Sequence, residues 1–193
     1  MRLPLIPPDK LPAELKPTYD DMRSGIEKNF KGFKAIDESG ALIGPWNPWL
    51  QFPAGKPIWE LTKALSFNPT LPRPVREIAI LVTGAHYHSA YELYAHVIAG
   101  ESRGLPDDTL ATIVAGQRPA GLTHDQGVAY DVAYALNQGG VLPELNYRQA
   151  VQAFTQTGAA ELIYLVGLYS LVSITLNGFD VPVPEDHPGA AKP

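Results

Sequence analysis

The chain has 193 residues, 45% hydrophobic and 18% charged, which is apolar enough for one compact domain with a real core and excludes disorder throughout. Fifteen basic against twenty acidic residues leave a formal charge of −5 with no Lys/Arg cluster, so no electrostatic nucleic-acid surface is expected. Without cysteine, disulfides, Cys-ligated zinc and thiol nucleophiles are excluded. The start MRLPLIPPDK lacks the apolar run of a secretory signal, and a cytoplasmic location is expected.

Proline placement divides the chain. Twelve of the nineteen prolines precede Val75, and four lie in the end segment VPVPEDHPGAAKP. This predicts an irregular arm (1–57), a helical body (58–181) and a tail (182–193). Within the arm, Leu15 to Phe33 can carry one helix. The stretch ALIGPWNPWLQFPAGKP holds four prolines and two tryptophans and is predicted to be a loop. Trp46 and Trp49 carry large apolar area, which pins the arm onto the body or a neighbouring subunit, or forms one wall of a ligand pocket.

In the body, apolar residues recur at three and four. Ile78, Leu81, Val82 and Ala85 share one helical face, and so do Leu93, Val97 and Gly100. Helices are predicted near 59–68, 74–86, 89–103, 106–115, 124–138, 147–157 and 160–177. Gly104 closes the helix that contains His96, Pro106 starts the next, and Thr123-His124-Asp125-Gln126 fits a capping box. The run LIYLVGLYSLVSITL, Leu162 to Leu176, is shorter than the roughly 18–20 residues that span a bilayer, and is read as a buried helix rather than a membrane anchor. No segment alternates with a period of two, so the predicted class is all-α.

Chemistry is concentrated in REIAILVTGAHYHSAYELYAHVIAG, Arg76 to Gly100, which contains Glu77, His86, His88, Glu92 and His96. Glu92 and His96 are four apart, one turn along one helix face, where a carboxyl and an imidazole suit proton transfer near neutral pH. Structural roles compete. Ser89-Ala90-Tyr91-Glu92 fits a capping box, His96 could be a core histidine, and Glu77 could pair with Arg73 one turn earlier. His88, Glu92 and His96 at i, i+4 and i+8 offer a metal-ligand alternative, although their order is not H-E-x-x-H and one straight helix spreads them over about two turns.

This window, the GL that follows it, the later LNGFDVPVP and the upstream GPWNPWL together resemble the carboxymuconolactone decarboxylase and alkylhydroperoxidase D superfamily, over roughly residues 10 to 184. Peroxidase-type members of that superfamily carry a glutamate, then C-x-x-C, then a histidine. Glu77 and His96 match the glutamate and the histidine, whereas the cysteine positions fall on Ser89 and Glu92. The resemblance therefore implies the longer, decarboxylase-like branch, in which the E-x-x-x-H pair matches Glu92 and His96. It implies an all-α fold that assembles into trimers or hexamers, with sites between helices near subunit contacts.

The family's name reaction removes carbon dioxide from γ-carboxymuconolactone without a cofactor. It requires an oxyanion stabiliser and a positioned acid. His96 is the expected acid, cycling with Glu92, and Glu77 the expected orienting or relaying group. His86, Asn47 or backbone N–H groups are candidates for the oxyanion, with His88, Trp46 and Arg76 as further substrate-binding residues. An oligomeric binding protein of the same fold, or a metal-dependent enzyme using the histidine cluster, are the alternative readings.

Overall fold

A computed structural model describes residues 1–185, which contain eight α-helices and no strand. The all-α expectation holds. The predicted tail lies largely outside the described residues, and so does His187. Helix α1 (Lys16–Asn29) follows a short 3-10 turn at Pro8–Lys10 and falls within the arm helix read from the sequence.

The tryptophan stretch is not a loop throughout. Its middle forms helix α2 (Trp46–Gln51), and α3 (Gly55–Ser66) begins before the stretch ends. Pro45 caps α2 and Pro48 sits in its first turn, where a missing N–H costs nothing, so a proline count overstated the irregularity. Gly44 makes the entry possible. Its φ is +65° and a side chain there would fall 2.6 Å from the Tyr91 ring.

The hub is α4 (Arg73–His86), which packs on α5 (Ala90–Ser102), α6 (Asp107–Val114), α7 (His124–Asn137) and α8 (Glu144–Gly178). Every residue from Val75 to Ala85 is buried, so α4 is enclosed on all sides rather than amphipathic as its spacing suggested. Burying one Ile, Leu or Val of such a helix contributes roughly 1.5–3 kcal/mol. Arm and body share a single core, because Tyr19, Met22, Ile26, Leu42 and Trp46 join the same apolar cluster as Ile78, Leu81 and Leu165.

Helix ends follow their local chemistry. Thr123 and Gln126 close the predicted capping box at α7. Asp107 and Asp108 occupy the first turn of α6, where negative charge is favoured. Gly104 terminates α5 with φ +81°, as expected. The two helices predicted near 147–157 and 160–177 are both present, joined end to end in α8 across a break at Thr155, whose φ of 62° and ψ of 175° are not helical. By length and mean hydropathy (1.7) α8 could cross a membrane, yet half of its apolar window is buried inside the protein. One face stays uncovered, with Tyr164, Gly167, Leu171 and Ile174 exposed along it.

Candidate active site

A three-residue link, 87–89, folds α5 back on α4, and this hairpin builds the site. Gly84 permits the close approach, since a side chain there would sit 3.3 Å from the Glu92 and Leu93 side chains. Glu77 from α4 then faces His96 from α5. His96 Nδ1 lies 2.6 Å from Glu77 Oε2, and His96 Nε2 lies 3.1 Å from Glu92 Oε1. Exposure is 1% for Glu77, 3% for Glu92 and 8% for His96, so the imidazole is held between two buried carboxyl groups.

Arg103, at the end of α5, forms an ion pair with Glu77 Oε1. It supplies the countercharge that a buried carboxylate requires. Burial drives the Glu92 carboxyl up to about 7, against the opposing pull of His96. Burial likewise holds the His96 imidazole below the usual histidine range, with Glu92 raising it and Arg76 lowering it further. Near neutrality the Glu92 carboxyl is therefore partly protonated beside a neutral imidazole, 3.1 Å away without the alignment of a hydrogen bond. Tyr169 from α8 packs edge-on against the imidazole, ring centroids 5.0 Å apart, and burial raises its hydroxyl well above the ordinary range.

Two small cavities meet at His96. One, of about 40 Å³, is polar and lined by Arg73, Arg76, Glu77 and Arg103. The other, of about 30 Å³, is aromatic, with Trp46, Trp49, Tyr91 and Glu92 in its wall. Phe30, Phe33, His96 and Tyr169 belong to both. Each volume is on the order of a single water's share of the liquid, about 30 Å³, so a ring enters only if a shared wall such as Phe30 and Phe33 shifts. Among the described residues Trp46 Nε1, Trp49 Nε1 and Glu92 Oε1 are buried without a hydrogen-bond partner, the 3.1 Å approach of His96 Nε2 to Glu92 Oε1 not being aligned as one. Three orphaned polar atoms on residues of one chamber are costly, at about 1–3 kcal/mol each, and an acceptor-bearing ligand would offset part of that.

The structure brings together Glu77, Glu92, His96, Arg76 and Trp46 and separates the other predicted residues. His86 and His88 line a different cavity, so neither reaches the His96 chambers and the His88–Glu92–His96 ligand set does not converge. Asn47 is buried in a structural role, donating to Pro4 O at 3.4 Å and accepting from Gln51 at 2.8 Å. Arg76 borders the polar chamber but is engaged by Glu161 at 2.5 Å, and Glu161 is also held by Thr70. The capping box at Ser89 does not form, because Glu92 turns toward His96 and Ser89 Oγ is left unpartnered. Nor does Glu77 pair with Arg73, which is exposed at the chamber edge.

Sequence reasoning did not pair Arg103 with Glu77, and it passed over Tyr169 and the Phe30–Phe33 wall as site residues. Arg103 carried a usable signal, since it lies seven residues after His96 and so on the same helix face.

No family model matches the chain, and no curated protein does. In fold, the chain is similar to the debrominase Bmp8. A Bmp8 variant in complex with 2,3,4-tribromopyrrole superposes with a TM-score of 0.70 at 13% identity, covering 96% of this chain and 94% of that one. The apo form of Bmp8 gives a TM-score of 0.70 at 11% identity, with 91% and 90% covered.

Proposed function

We propose that this chain is a cofactor-independent acid–base enzyme acting on a small carboxylated lactone or related cyclic acid, by decarboxylation of the γ-carboxymuconolactone type. On this reading it belongs with the decarboxylase-like relatives that lack the redox cysteine pair, and it works as a trimer or hexamer. The observation that carries the reading is the buried Glu77–His96–Glu92 line, set between a cation-lined chamber and an aromatic one.

The chemistry follows from that placement. The substrate carboxylates face Arg73 and Arg103, and the ring lies against Trp46, Trp49 and Tyr169. Loss of carbon dioxide breaks one carbon–carbon bond and leaves its electron pair in a dienolate, whose oxygen takes the indole N–H groups of Trp46 and Trp49. His96, recharged through Glu92, delivers one proton to carbon, and solvent replaces it. Glu77 positions the imidazole by accepting its Nδ1–H.

A second reading, an oligomeric binding protein, is favoured by the small volume of both chambers. One assay separates the two. Purified protein incubated with γ-carboxymuconolactone should release carbon dioxide and lose lactone absorbance, and His96→Ala should lower the rate by roughly 10²–10⁴-fold. An effect below tenfold removes His96 from the mechanism, and no turnover on any lactone leaves the binding protein.

A further inference from the structure

A larger cavity, of about 240 Å³, lies on the opposite face of α4. Arg73, Arg76, Glu77 and Ile80 border the polar chamber, whereas Val82, Ala85 and His86 border this cavity, half a helical turn away. No lining residue is shared with the chambers at His96. Val82 and Ile113 give it an apolar floor, and Tyr130 and Tyr134, near-parallel at 10° with centroids 6.2 Å apart, give it an aromatic wall.

Two features mark the cavity as suited to a ligand. Tyr130 is 4% exposed, and its hydroxyl, which makes no hydrogen bond among the described residues, is reachable from the cavity rather than sealed in protein. His88 occupies the left-handed position of the motif that ends α4, with φ 50°, His88 N–H donating to Ala85 O and Ser89 N–H to Gly84 O. Glycine is the usual residue there, as at Gly104 and Gly116, so the fold accepts backbone strain to keep an imidazole at this rim.

The lining also defines the ligand. Among the described residues no Asp, Glu, Lys or Arg borders the cavity, and the nearby Arg118 is neutralised by Asp131 at 2.7 and 2.9 Å. An enclosed apolar cavity of about 150 Å³ takes up benzene; this one is larger, opens to solvent beside Tyr134 and carries the Asn137 and Gln138 amides in its lining, with volume for two fused rings. We propose that it is a second ligand site, independent of the reaction above. It takes a neutral planar bicyclic ring bearing hydrogen-bond donors and acceptors, held by the Tyr130 hydroxyl and the His88 imidazole beside the Tyr134 ring.

Calorimetric titration of the intact protein with adenine, hypoxanthine and indazole tests this. At least one should bind. Tyr130→Phe and His88→Gly should each weaken it tenfold or more, while His96→Ala leaves it unchanged. His88→Gly should melt no lower than the parent, since glycine suits that backbone, which separates lost binding from lost folding. The proposal is overturned if none of the three binds, if both variants bind like the parent, or if His96→Ala abolishes binding instead. It is also overturned if Tyr134→Glu lowers the mass of the protein in solution, because a second copy would then cover this face.

Discussion

Glu77 and His96 meet across 2.6 Å with Arg103 on the far side of the carboxylate, so Nδ1 must carry the imidazole proton and Nε2 is left to exchange one with Glu92. The tautomer is thereby set by Glu77, a carboxylate in the wall of the polar chamber. Glu77→Gln presents an amide that can satisfy either tautomer and no longer stabilises an imidazolium. The expected result is a loss in kcat of about 10²-fold or more with KM changed little, read from steady-state kinetics. Loss in KM alone would place Glu77 in substrate binding instead.

Glu92 makes the site sensitive to pH in a direction that can be worked out. Its folded value of about 7 lies above the ordinary carboxyl, so the folded state holds a proton that the unfolded chain releases, and Glu92 costs stability as pH rises from about 4.5 through 7. His96 acts oppositely. Its lowered value makes the folded state bind fewer protons, so its cost appears as pH falls below the ordinary histidine value of 6.5. Glu92→Gln removes the first effect and, by taking away the charge that raises His96, deepens the second, which also disfavours the variant only at the acid end. Its melting temperature relative to the parent should therefore rise between pH 5 and pH 8, by roughly 4–8 °C if about 2 kcal/mol is recovered. A pH-independent difference would show that Glu92 stays ionised.

Legibility in the sequence followed the range of the interaction. Helix ends set by neighbours in sequence were readable: the Thr123–Gln126 capping box and the Gly104 stop both form. So was the Glu92–His96 pairing, which depends only on helical spacing. Pairings across the fold were not. Glu77 has Arg73 one turn away, yet it pairs with Arg103 because the α4–α5 hairpin brings that guanidinium into the interior. His86 and His88 belong to the site hairpin itself, but the left-handed turn at His88 and the angular position of His86 direct them to the other side of α4. The tryptophan stretch misled because prolines at helix starts resemble prolines in loops.

Arg103 pairs with Glu77 and, on the proposed reading, also binds substrate, and the two roles can be separated. Its side chain is 24% exposed while its Glu77 partner is 2% exposed, so Arg103→Met leaves a buried carboxylate without its countercharge. Breaking a buried pair in this way costs on the order of 3 kcal/mol. Adding Glu77→Gln should recover most of it, as chemical denaturation of the four proteins in the cycle would show. Substrate binding should not recover, because the chamber cation is still missing. KM for a carboxylated lactone should stay raised about tenfold or more in the double variant, and recovery of KM would mean that Arg103 acts only through Glu77.

The uncovered stripe on α8 tests the proposed assembly. Tyr164, Leu171 and Ile174 are 63%, 39% and 53% exposed on one helix face, and Gly167 between them has open space where a side chain would stand. Small residues flanked by apolar ones allow a second helix to approach closely, and a water-facing stripe of this kind is unfavourable in a monomer. The buried face of the same helix carries Tyr169 and Leu168 into the chambers, so an interface here would stiffen the wall beside His96. Leu171→Glu with Ile174→Glu should reduce the mass in solution from a trimer or hexamer to that of one chain, and lower activity without touching an ionisable residue of the site. If the parent chain is already monomeric by light scattering, the stripe is not a homomeric contact and the assembly expected from the sequence falls.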